Sequence, residues 1–149
     1  MTRLLTLLGL IVPLALPGLA QAAPPAREKA MHARPEVAAK LDSLVIEVAT
    51  WKTELAGDCG AACDRLGNEV ASLEEALDGL WTVVAEPEGQ RERVDKAYTA
   101  IWSRSDGLER WLPQSDIEDL DGAMRRWSGT RERIDRFRRT LRELSSDAG

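Results

Sequence analysis

From Pro35 onward the apolar residues of this chain recur in steps that alternate between three and four, a seven-residue rhythm that only a helix turns into a continuous stripe. No stretch alternates apolar and polar residues in the strand fashion, so the expected fold class is all-α. The first segment places Leu41, Leu44, Val48, Trp51 and Leu55 on one face, with Pro35 near its first turn and Gly57 just past its end. The second repeats the steps through Leu66, Val70, Leu73, Leu77, Leu80 and Val84. Pro87 opens the third, which carries Val94, Tyr98, Ile101, Leu108 and Leu112 and ends at Pro113. Its rhythm weakens at Ser105-Asp106-Gly107, which predicts a kink or a frayed turn there. The fourth begins at Ser115-Asp116-Ile117-Glu118, the pattern of a capping box. Its stripe runs Ile117, Leu120, Met124, Trp127, Ile134, Phe137, Leu141 and Leu144.

Short connectors between long helices force neighbours to alternate in direction. Residues 35–145 are therefore expected to form an antiparallel up-down-up-down four-helix bundle. The alternative is a pair of helical hairpins whose narrow stripes are completed only in a homodimer.

Ahead of the bundle, Arg3 precedes an uncharged apolar run from Leu4 to Leu19, and Ala20-Gln21-Ala22 then supplies the small residues of a signal-peptidase site. Residues 1–22 read as a signal peptide, 23–34 as a flexible Ala/Pro-rich leader and 146–149 as a disordered tail. The apolar run is short for a bilayer span and is interrupted by Pro13, Pro17 and Gly18. The expected location is the periplasm or the exterior, with no membrane-spanning segment left after cleavage.

Histidine scarcity narrows the chemistry. The sole imidazole, His32, lies in the leader, where a catalytic base would lack a packed neighbour to hold it. No Glu-x-x-His pair is present for a carboxylate-bridged di-metal site. Cys59-Gly60-Ala61-Ala62-Cys63 has one residue too many for covalent haem attachment and is followed by Asp64. In an exported chain, two cysteines four apart beside Gly57 and Gly60 read as a local Cys59–Cys63 disulfide. A redox-active pair or a soft-metal site is the alternative there. No enzymatic activity and no cofactor is expected.

Five tryptophans, Trp51, Trp81, Trp102, Trp111 and Trp127, outnumber the single Phe and single Tyr. They are expected to fill wide layers of the bundle, each N–H finding a partner near the surface. Trp51 and Trp111 are placed near one end, Trp102 and Trp127 nearer the middle, and a ligand pocket between them is the alternative.

Charge is distributed unevenly. Residues 42–90 carry a net −9, whereas residues 123–145 carry eight arginines against Glu132, Asp135 and Glu143, a net +5. On the last helix Arg125, Arg136 and Arg139 fall on the side away from the core, at a distance from the acidic second helix, and are the candidate partner-binding residues. Acid-first pairs four apart, Glu132 with Arg136 and Asp135 with Arg139, fit a solvated face equally. An exported chain of net negative charge is not expected to bind nucleic acid. The sequence thus predicts a non-enzymatic helical interaction module of the cell envelope or exterior, meeting a protein or an anionic surface. A small-ligand or metal-binding bundle using the tryptophans or Cys59 and Cys63 is the alternative.

Overall fold

Leu41, Leu44, Val48 and Trp51 are buried on one face of a helix, as their spacing requires, and three further long helices bury matching stripes against it. The computed structural model describes residues 24–54 and 60–146, and among these every regular element is helical. The elements are α1 (Pro24–Ala33), α2 (Pro35–Glu54), α3 (Gly60–Asp78), the short α4 (Trp81–Ala85), α5 (Arg91–Trp111), a 3₁₀ turn (Leu112–Gln114) and α6 (Leu120–Leu144). The residues read as a signal peptide, Leu55, Cys59 and residues 147–149 lie outside the described residues.

The four long helices form a closed ring: α2 packs on α3, α3 on α5, α5 on α6 and α6 on α2. Cross-helix pairs give their directions. Glu47 meets Arg133 while Glu54 meets Arg126, so α2 and α6 run oppositely. Asp95 meets Arg142 while Asp106 meets Arg131, and Glu69 meets Arg104 while Arg65 lies over Trp111, so α5 opposes both α6 and α3. The core is thus completed within one chain, with Leu66, Leu73, Leu77, Ile101, Ile134 and Leu141 wholly inaccessible.

Several local expectations are corrected. Residues 24–33, read as a flexible leader, form α1, which packs on α4 and α2. Its prolines stand in the first turn, where their missing N–H groups leave no helical bond unmade. Ala30 is fully buried, with Ala26 and Met31 packed on the core. Ion pairs from Arg27 to Asp42 and Arg34 to Glu88, both 2.8 Å, and from Lys29 to Glu86 hold it at the surface. Small side chains let the helix lie close, and its cations meet the acidic α4–α5 turn.

The second stripe is divided between two helices. α3 ends at Asp78, and Leu80, at the N-cap of α4, and Val84, within α4, reach the core from there instead. The chain then turns through Gly89, whose φ of +71° suits a residue without a Cβ. No kink interrupts α5: Ser105 and Gly107 are buried within a continuous helix. A Cβ on Gly107 would come within 2.9 Å of the Glu69 carboxyl carbon, so the weak point of the apolar rhythm is where the Glu69 side chain of α3 lies against α5.

The proposed capping box does not form. Ser115 Oγ donates to Leu112 O at 2.6 Å, and α6 starts later, where Asp119 accepts the Gly122 N–H at 3.0 Å. Ile117 therefore lies before the helix and is half-buried, and Met124, expected on the core stripe, is 42% exposed.

Leu73, in the C-terminal half of α3, and Leu77, in its last turn, have no exposed surface. Truncating either to Ala is expected to cost about 2 to 5 kcal/mol through lost burial and a residual cavity. Chemical denaturation of the two variants checks this, and near-neutral values at both sites would contradict the packing.

Candidate functional site

α6 is the most strongly divided of the described long helices. Ala123, Trp127, Thr130, Ile134, Phe137 and Leu141 form its buried stripe, and its arginines occupy both flanks and the outer face. On the α2 side, Arg126 binds Glu54 at 2.8 Å and Arg133 binds Glu47, whose carboxylate also accepts the Thr130 hydroxyl at 2.6 Å. On the α5 side, Arg131 binds Glu109 and lies 3.4 Å from Asp106, while Arg138 and Arg142 share Asp95 at 3.6 and 3.4 Å. The Glu109 hydrogen bond holds the Arg131 guanidinium still more firmly protonated.

Five carboxylates of α2 and α5 thus face the arginines of α6. The acids of α3 are directed elsewhere, Glu74 to Lys52 at 2.8 Å and Glu69 to Arg104 at 3.5 Å. Charge neutralisation of α6 is therefore more complete than the sequence suggests, because acids on its two neighbours, not those on its diagonal helix, meet it.

Arginine also covers aromatic faces. Arg126 lies 5.0 Å from the Trp51 ring centre, Arg131 5.4 Å from Trp102 and Arg65 4.3 Å from Trp111, within the range of cation–π attraction. Trp51 meets Trp127 edge to face at 6.1 Å, so this pair spans two helices that the sequence placed at different levels. The Trp81 N–H donates to Asp78 at 3.1 Å, but that of Trp127 is buried with no acceptor among the described residues.

The three arginines selected from the sequence all lie exposed, but they do not converge. Arg125 and Arg136 share one side of α6, about 16 Å apart along its axis. Arg125 has no ion pair among the described residues and lines an end groove of about 460 Å³ with Trp51, Ile117 and Gly122. Arg136 is paired with Glu132 at 2.7 Å along the helix and lines a second groove of about 460 Å³, between α2 and α6. That hydrogen bond holds the Glu132 carboxyl below its ordinary range. Arg139 is paired with Asp135 at 3.5 Å and lines neither groove.

The α2–α6 groove contains residues that sequence reasoning missed. Lys40, Ser43 and Ala39 face Arg133, Arg136 and Thr140 across it. Their only sequence signal is a cation and small side chains beside the core stripe, which has meaning only once α2 and α6 are neighbours.

Cys63 is buried on α3, and its expected partner Cys59 is outside the described residues. His32 is exposed in the last turn of α1. Among the described residues, no group of three or more His, Cys, Asp or Glu side chains comes together as a metal site, and no helix is long and apolar enough to cross a membrane. Comparison with protein-family models, curated proteins and solved structures found no match.

Tyr98, the sole tyrosine, is fully buried in the α5–α6 seam and donates to Ile134 O at 2.8 Å. Burial pushes its phenol pKa well above the ordinary value, and the negative charge of Asp135 adds to the rise against the opposing Arg138. A raised pKa in an acid means that the folded state favours the protonated form. The contribution is complete below the unfolded pKa of about 10 and is lost as pH rises above it. Phenolate absorbance is therefore expected to appear only together with loss of helicity in an alkaline titration. Ionisation of Tyr98 in a protein that keeps its full circular dichroism would contradict this burial.

Proposed function

We propose that this chain is an exported, non-enzymatic helical interaction module of the cell envelope or exterior, and that it meets an anionic surface through the outward cations of α6. The observation that carries this reading is how those cations are held. Arg125 has no ion pair among the described residues. The Arg136 and Arg139 side chains are 62% and 67% exposed and are paired only with acids on their own helix. Exposed pairs of this kind contribute about 0 to 1 kcal/mol, so an external anion can displace the carboxylates at little cost. By contrast, Arg126, Arg131, Arg133, Arg138 and Arg142 are committed to neighbouring helices and hold the bundle together.

The non-enzymatic part of the reading is supported by the position of His32, exposed on a short peripheral helix. Export is supported by the pattern from Arg3 to Ala22, and a Cys59–Cys63 bridge fits an oxidising compartment. The product recovered from the exported fraction should begin at Ala23 or within a few residues of it and contain no titratable thiol when denatured without reductant. An intact Met1 in that fraction, or two free thiols, would remove the respective support.

Docking of this kind is screened over about 8 Å at physiological ionic strength. The mature protein is therefore expected to be retained on heparin or anionic liposomes at low salt and released at moderate salt. A triple Arg125→Glu, Arg136→Glu, Arg139→Glu variant, with helicity verified, is expected to lose retention. Absent retention of the wild type at low salt, or equal retention of the variant, would overturn the reading.

A further inference from the structure

The α2–α6 seam differs along its length. Over one half it is stitched by Glu54 with Arg126 and by Glu47 with Arg133 and Thr130. Toward the N-terminus of α2 the facing residues become small, Ala39 and Ser43 opposite Thr140, and the helices leave a groove of about 460 Å³. That volume falls in the range of small-ligand sites. Leu44 and Phe137, both members of the hydrophobic core, form its apolar floor, and Lys40, Arg133 and Arg136 supply charge at its walls.

The charges leave capacity for a ligand. Lys40 has no ion pair among the described residues. Arg133 and Arg136 each give one terminal nitrogen to a carboxylate, Glu47 and Glu132, and a guanidinium has five N–H donors. With these two carboxylates counted, the groove keeps one surplus positive charge. The Ser43 hydroxyl, facing the same space, makes no hydrogen bond among the described residues.

We infer that the groove between α2 and α6 binds a single-chain amphiphile with one anionic head group, a carboxylate of the medium-chain fatty-acid type. The head is held by Lys40 and the free edges of Arg133 and Arg136, and the chain lies over Leu44 and Phe137. A singly charged head matches the surplus charge, and the planar carboxylate matches the guanidinium fork. An apolar floor with few polar groups at the walls is the usual composition of such sites. This site goes beyond the surface docking proposed above and shares only Arg136 with it.

The probe is decanoate below its micellar concentration, titrated calorimetrically into the mature protein, with decyltrimethylammonium as the cationic control. Two variants at exposed positions of α2, each checked for helicity, separate the parts of the claim. Lys40→Glu reverses the uncommitted charge, and Ser43→Trp fills the groove without altering any charge. Decanoate is expected to bind at one site, the cationic amphiphile not to compete, and each variant to lose at least about tenfold in affinity, the scale of one lost contact. No binding to the wild type, or equal binding of the cationic amphiphile, would overturn the proposal. Loss in Ser43→Trp alone would mean that the head-group charge is not read, and loss in Lys40→Glu alone that the ligand lies outside the groove; either result also overturns it. Heparin retention of Ser43→Trp is expected to be unchanged, so the two proposals fail separately.

Discussion

A helix that carries eight arginines can join a bundle only where its guanidinium groups meet carboxylates, ring faces or water, and α6 imposes that condition on its neighbours. Its apolar stripe supplies the driving force for docking, but the residues on either side of that stripe are arginines and cannot be sealed in uncompensated. α2 and α5 answer with acids at the facing positions, Glu47 and Glu54 on one and Asp95, Asp106 and Glu109 on the other. The guanidinium groups of Arg126, Arg131 and Arg138 lie over the rings of Trp51, Trp102 and Tyr98, so charge pairing and coverage of aromatic surface are achieved by the same side chains. Each exposed pair contributes little alone, and their arrangement serves chiefly to set which helices are neighbours and at what level.

Small residues determine the other contacts. Gly107 allows the Glu69 side chain to lie directly against the α5 backbone, and Ser105 beside it is enclosed without a hydrogen-bond partner among the described residues. Ala26 and Ala30 belong to the core that α1 shares with α4, and their small side chains permit a close contact there. On the other side, Ala39 and Ser43 face Thr140, and these three small side chains leave a groove that Leu44 and Phe137 line from the core. Close approach and open groove thus have one origin, the volume of the residues at the helix contact, and differ in whether the partner fills the space.

The ion pairs of α1, like those of α6, are partly open to solvent. Lys29, Arg34 and Arg27 bind Glu86, Glu88 and Asp42 in largely exposed positions, and the Lys29 hydrogen bond holds the Glu86 carboxyl below its ordinary range. Such contacts are screened by salt and weaken as the acids are protonated. The apolar contacts of Ala30 and Met31 persist under those conditions, so α1 has one attachment that depends on the medium and one that does not.

Helical class, the four long segments and most of the buried stripe followed from sequence, because a 3.6-residue period converts spacing directly into a face. Leu41, Leu73, Ile101 and Ile134 could be assigned to the core before any neighbour was known. Spacing carries no comparable information about residues whose role depends on another helix. α1 reads as a leader because it is rich in Ala and Pro, and only the neighbouring helices α4 and α2 give Ala30 something to be buried against. The sequence marked Arg125, Arg136 and Arg139 as one outward set, and their exposure follows from helical geometry alone. Which arginines are committed, and the meeting of Lys40 with Arg136, were decided by tertiary structure, since both depend on which helix lies beside α6 and at what register.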